Sequence, residues 1–148
     1  MAQSYCERPG YLRGMKHLEH VGIAVSDLAG AERIFTDLLG TGPYKREDVL
    51  DEGVRTSFFQ AGGTKVELLG ALTPDGPIAR HLEKRGPGLH HLAFAVDDME
   101  GELARLEGLG YVRISGPKPG ADGKVIAFLH PGGTGKVLVE LCAEGTVG

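Results

Sequence analysis

Two stretches of this chain alternate between bulky and small side chains in the same way, about seventy residues apart. From His20 the bulky Val21, Ile23 and Val25 alternate with His20, Gly22 and Ala24. From His91 the bulky Leu92, Phe94 and Val96 alternate with His91, Ala93 and Ala95. A period of two is that of a strand, so one face can pack on a helix while the other leaves room beside a histidine. Each strand runs into an acidic cap and a helical stripe. Ser26 or Asp27 opens a helix to Leu39 carrying Leu28, Ala31, Ile34, Phe35 and Leu38, and Gly40 can stop it in the left-handed conformation. Asp97 or Asp98 opens a second, with Met99, Leu103 and Leu106 inward and a close near Gly110.

The intervals repeat too. After the turn Thr41-Gly42-Pro43 and the charged passage Lys45–Asp48, strand character runs from Val49 to Gln60. Gly62-Gly63 then signals a hairpin, and Lys65–Leu69 returns as its partner. In the second half, Tyr111–Ser115 reads as a strand, Gly116–Gly120 as a loop, Lys124–His130 as a strand, Pro131-Gly132-Gly133 as a turn and Lys136–Cys142 as the last strand. Between the halves Asp75 or Gly76 can cap a short helix with Pro77 first and Ile78, Ala79 and Leu82 as its apolar stripe, ended by Gly86-Pro87-Gly88. The reading is an α+β chain of two β-α-β-β-β modules, residues 17–72 and 89–143, joined by a connector over 73–88. Residues 15–148 form a single domain, and residues 1–14, with Pro9-Gly10, form a loose arm.

Composition narrows the function without naming it. With 16 Lys and Arg against 20 Asp and Glu, the net charge of −4 lacks the basic stripe of a nucleic-acid binder. No run approaches the ~20 apolar residues of a membrane span, and no basic-then-apolar leader opens the chain, so a soluble cytoplasmic protein is expected. Cys6 and Cys142, the only cysteines, are too few and too scattered for a disulfide framework. The 24 glycines fall at element boundaries and mark tight turns.

The duplication singles out chemistry. His91 follows His20 by 71 residues, and Glu140 follows Glu67 by 73. A lone strand histidine is ordinarily structural or solvent-facing, which is the reading for His17, His81, His90 and His130. Recurrence in register is different: His20, Glu67, His91 and Glu140 together offer two imidazoles and two carboxylates, a donor set for one divalent first-row cation. His90 aligns with Glu19, so His91 is the ligand of the second module.

The strings Glu19–Val25, Lys65–Leu69, Pro77–Arg80, Gly88–Phe94, His130-Pro131 and Val137–Cys142 resemble the vicinal-oxygen-chelate superfamily, which includes glyoxalase I and bleomycin-resistance proteins. Within it, Gly88-Leu89-His90-His91 and Val137-Leu138-Val139-Glu140-Leu141 are similar to the methylmalonyl-CoA epimerase branch. The resemblance implies an open, cupped eight-stranded mixed barrel around one divalent metal, Co2+ favoured over Mn2+, Ni2+, Zn2+ or Fe2+. It implies His20, Glu67, His91 and Glu140 as ligands, an acyl-CoA substrate, and interconversion of (R)- and (S)-methylmalonyl-CoA. Glu140 resembles one catalytic carboxylate of that branch. The other stands in some members where this chain has Thr56, so Glu67 is assigned the second role. Glu47, Asp48, Asp51 and Glu52 lie nearby as a solvated charge cluster. The same departure gives weight to a glyoxalase I-like lactoylglutathione lyase as the alternative. Lys118, Lys124 and Lys136 are candidate partners for the CoA phosphates, and open sheet edges point to a homodimer.

Overall fold

In the computed structural model, which describes residues 17–145, β1 (His17–Ala24) leads into α1 (Leu28–Leu39), followed by β2 (Lys45–Val49), β3 (Val54–Ala61) and β4 (Thr64–Ala71). Helix α2 (Pro77–Arg85) connects to β5 (Gly88–Ala95) and α3 (Met99–Gly108), then to β6 (Arg113–Pro119), β7 (Lys124–Leu129) and β8 (Val139–Glu144). All eight strands join one sheet in the order β2-β3-β4-β1-β5-β8-β7-β6. At its centre β1 and β5 run antiparallel, each flanked by a parallel neighbour, β4 and β8 respectively. Read outward from that centre, the order is the same in both directions. The expected pair of β-α-β-β-β modules and the curled mixed sheet are therefore present.

Helix starts follow from the caps. Asp27 accepts a hydrogen bond from the Gly30 backbone N–H, and Asp98 accepts one from Gly101, each at 3.0 Å. Gly40 closes α1 at φ 73°, a backbone that other residues adopt at a cost. Helices α1 and α3 each cover the outer face of their own module, and α2 packs Ile78 against Val54 and Leu69 on the other face. Val25, Ala31, Phe59 and Leu68 pack with Leu28, Phe35 and Leu39 in the first core. Val96, Met99, Leu103, Leu106, Ala127, Leu129 and Leu141 form the second. In α1 the buried lane is Leu28, Ala31, Phe35 and Leu39, whereas Ile34 and Leu38 are 57% and 71% exposed. At 3.6 residues per turn those two lie beside the stripe rather than on it.

Sequence and structure part company mainly at the sheet edges. The charged Lys45–Val49 is itself strand β2, while a 3-10 turn at Leu50–Glu52 and Gly53 at φ 62° interrupt the stretch read as one strand. An edge strand pairs on one side only, so it tolerates charge. At the other edge β6 runs on through Pro117 and Pro119, residues read as loop. A proline's missing N–H is harmless where no ladder partner waits for it. The last strand begins at Val139 instead of Lys136, because Lys136 turns at φ 70° and donates its backbone N–H to the Pro131 carbonyl at 2.8 Å. The proposed N-terminal arm and Cys6 lie outside the described residues. No helix among the described residues is long and apolar enough to cross a membrane.

Candidate metal centre

The face of the sheet opposite α1 and α3 carries the small and polar half of each alternation. Pairing sets what meets there. Gly22 lies opposite both Glu67 and His91, and Ala93 lies opposite both His20 and Glu140. The small residue of each central strand thus stands beside the other strand's histidine. All four predicted side chains converge. His20 Nε2 is 3.0 Å from His91 Nε2, 3.5 Å from a Glu67 oxygen and 3.4 Å from a Glu140 oxygen. His91 Nε2 is 3.5 Å from an oxygen of each glutamate. Every one of the four is buried. Phe58 and Phe128, paired in the ladder with Glu67 and Glu140, set their rings edge-on to His20 and His91 at 6.3 and 6.0 Å between centroids.

Burying two carboxylates side by side is unfavourable without a cation or protons to neutralise them. Burial pushes Glu67 up to about 7 and Glu140 up to about 8. It drives His91 well below the ordinary imidazole range, helped by the neighbouring His20 and His90. Burial also works against charge on His20, but the hydrogen bond to Glu19 and the nearby Glu140 and Glu67 outweigh it and the net shift is upward. Two imidazole nitrogens and two carboxylate oxygens aimed at one another suit a divalent first-row cation.

The rings are held from behind. His20 Nδ1 lies 3.0 Å from Glu19 Oε1, and His91 Nδ1 lies 2.9 Å from His90 Nδ1. For both Nε2 atoms to offer lone pairs to a cation, both Nδ1 atoms must carry protons. Glu19 then accepts from His20, and His90 accepts from His91 with its own proton on Nε2. His81 on α2 packs edge-on against His90 at 4.7 Å. The sequence reading gave Glu19 no role and left His81 and His90 as bland residues. The one available signal was that Glu19 and His90 occupy equivalent places in the two modules. Adjacent strand residues normally face opposite ways, but the β1–β5 register slips between Leu18 and His20, and this bulge lets Glu19 share the concave side with His20.

A cavity of about 300 Å³ opens over the cluster, walled mainly by apolar side chains such as Val54, Leu69, Ile78, Ile126 and Phe128. Thr56 lies in that wall, fully buried, with its hydroxyl donating to the Glu47 carbonyl at 3.3 Å. The four neighbouring acids do not act together. Asp48 pairs with Arg55, Glu47 accepts from the Asp122 backbone, Glu52 binds Lys118 and Asp51 is exposed. Lys118 and Lys124 border the cavity, each paired with a glutamate, and Lys136 stands away from it.

Stripping the protein with a chelator should make its stability depend on pH. Glu67 and Glu140 titrate above the ordinary carboxylate range and His91 well below the ordinary imidazole range, so the two effects oppose each other below about pH 6.5, and from there to about 8 the folded state binds more protons than the unfolded one. Stability then falls as pH rises through this window. The melting temperature of the chelated protein is expected to drop between about pH 6.5 and 8 and to level off above that, and added Co2+ or Mn2+ to restore it. A flat profile in both states would rule out this protonation of the cluster.

A duplicated module whose halves each contribute a histidine and a glutamate to one shared cluster defines the class of protein. Residues 19–128 match the Glyoxalase/Bleomycin resistance protein/Dioxygenase superfamily, and the chain belongs to it. The ethylmalonyl-CoA/methylmalonyl-CoA epimerase of Cereibacter sphaeroides is 41% identical over 128 residues, 84% of this chain and 95% of that protein. Human mitochondrial methylmalonyl-CoA epimerase is 37% identical over 134 residues, 89% of this chain and 76% of that one. The crystal structure of methylmalonyl-CoA epimerase from Mycobacterium tuberculosis superposes with a TM-score of 0.84 at 32% identity, covering 89% of this chain and 90% of that one.

Proposed function

We propose that this protein is a metal-dependent epimerase that interconverts (R)- and (S)-methylmalonyl-CoA by taking a proton from C2 and returning it on the other face. The observation that carries the reading is the convergence of His20, Glu67, His91 and Glu140 at the floor of one apolar cavity, in a chain whose relatives bear that name. The four side chains would hold one divalent cation, Co2+ favoured, which supplies Lewis acidity where negative charge develops on the thioester and carboxylate oxygens. Glu67 and Glu140 come from strands on opposite sides of the β1–β5 pair, so one can remove the proton while the other delivers one. Burial keeps both near the proton affinity at which a general base works at neutral pH. The apolar wall limits water around the reacting carbon. Thr56 offers no acid at the cavity wall, which is why the second role falls to Glu67.

Incubation with methylmalonyl-CoA in deuterium oxide tests the reading. Deuterium should enter C2 as the two stereoisomers equilibrate, and a chelator should stop both. Thr56 also favours a second reading, a glyoxalase I-like lyase with the same ligand set. Formation of lactoylglutathione from the hemithioacetal, with no label entering methylmalonyl-CoA, would establish that one instead. The homodimer belongs to this proposal, since β2 and β6 leave open edges and Val112 and Ile114 are 60% and 50% exposed beside one of them. Light scattering at twice the chain mass is the expected result.

A further inference from the structure

The two ligating imidazoles are backed by different chemistry. Behind His91 stand two further rings, His90 and His81. Behind His20 runs a chain of charges. Glu19 Oε1 meets His20 Nδ1 at 3.0 Å, Glu19 Oε2 meets Lys65 Nζ at 3.0 Å, and Lys65 Nζ meets Asp122 Oδ2 at 3.3 Å. These three partners are largely buried, with 11%, 17% and 19% of their side chains exposed. Asp122 belongs to the other module, in the turn between β6 and β7, and its position is fixed independently. Tyr44 donates to Asp122 Oδ2 at 2.9 Å, Lys45 donates to Oδ1 at 3.3 Å, and the Asp122 backbone N–H donates to Glu47 at 3.1 Å. Its backbone is left-handed, φ 59° and ψ 32°, a conformation aspartate tolerates better than most residues.

We propose that Asp122 is a positioning residue for the metal centre, acting through Lys65 and Glu19 to hold the His20 ring with Nδ1–H on Glu19 and Nε2 turned to the cluster. The inference rests on the metal reading above. Lys65 lies between two carboxylates, and its charge is divided between them. Without Asp122 the full ammonium charge falls on Glu19 and competes with His20 for it. The acceptor that fixes the ring's tautomer and tilt is then weakened. Because Asp122 comes from the second module and Lys65, Glu19 and His20 from the first, the geometry of one ligand depends on the two sheet edges meeting across the cavity mouth.

The test uses the full chain, stripped of metal and titrated with Co2+ by calorimetry, with nitrogen NMR of the histidine rings as a second readout. Asp122→Asn should weaken Co2+ binding about tenfold, and Glu19→Gln by about tenfold to a hundredfold, the range that outer hydrogen-bond partners of ligating histidines are worth. In the metal-free Asp122→Asn protein the His20 Nδ1 signal should move as its hydrogen bond to Glu19 weakens. Tyr44→Phe, which removes one partner of Asp122 and no charge, gives a smaller loss in the same direction and serves if Asp122→Asn fails to fold. Glu52→Gln removes the charge from a separate ion pair between the sheet edges, with Lys118 at 2.8 Å, and should leave Co2+ affinity unchanged. Wild-type affinity and an unaltered His20 signal in Asp122→Asn would overturn the inference while leaving the metal reading intact. An equal loss in Glu52→Gln would overturn it too, since edge closure alone would then account for the effect. Failure of the wild-type chain to bind Co2+ at all would remove both.

Discussion

Glu140→Gln and Glu67→Gln are each expected to lower epimerisation of methylmalonyl-CoA by about 10²–10⁴-fold, the usual worth of a positioned general base, and to fail in opposite ways. An amide oxygen can still face a cation, but an amide cannot accept the C2 proton. Each variant therefore keeps one working face. Given one pure stereoisomer in deuterium oxide, a variant lacking the base on that substrate's side should neither exchange nor epimerise it. The other variant should exchange its proton with solvent without producing the mirror form. The two proteins should show complementary preferences, with metal content near that of the wild type by elemental analysis. The geometry behind this is the placement of Glu67 on β4 and Glu140 on β8, flanking β1 and β5, with both carboxylates 3.4–3.5 Å from His20 Nε2. Glu67→Gln epimerising at the wild-type rate would take the second role away from Glu67. Thr56 could not inherit it, because its buried hydroxyl is engaged with the Glu47 carbonyl.

What could be read in advance was whatever obeys a period. The alternation at Val21, Ile23 and Val25 pointed to a helix-covered face, and Val25 lies in the core beneath α1. The repeat of His20 at His91 and of Glu67 at Glu140 foretold which four side chains meet, because equivalent positions in duplicated strands fall at equivalent places around the central β1–β5 pair. What could not be read depends on neighbours in space. Lys45–Val49 looks like a polar loop until β3 lies beside it, and Pro117 and Pro119 argue against a strand until it is known that β6 is an edge. The turning of Glu19 toward the cavity comes from a register slip against β5, which no local pattern encodes. The contacts of Asp122 with Tyr44, Lys45 and Lys65 span 57 to 78 residues of chain, joining side chains that occupy unrelated places in the two modules. Periodicity thus delivered the four residues of the cluster and left the supports behind them to the fold.

Gly22→Val should abolish metal binding while leaving a folded chain. A Cβ placed at Gly22 would lie 2.1 Å from His91 Cε1, 2.4 Å from Nδ1 and 2.7 Å from Nε2, inside the space the ring occupies. A single methyl asks the ring to tilt; a β-branched side chain leaves it no room. His91 is confined by His20, His90 and Phe128 around it, so the ring must leave the cluster and take Nε2 with it. Overpacking of this kind costs about 1–3 kcal/mol, within what a domain of this size can lose. Co2+ titration should therefore show no binding at the site, and epimerisation should fall to background, while the melting transition survives at a lower temperature. Ala93 is the equivalent position in β5 and faces His20 across the ladder. There a side chain already fits, and Ala93→Gly should cost only about 0.5–1 kcal/mol in stability and retain the metal. A Gly22→Val protein that bound Co2+ like the wild type would show that His91 does not need the space above Gly22, and would remove it from the ligand set.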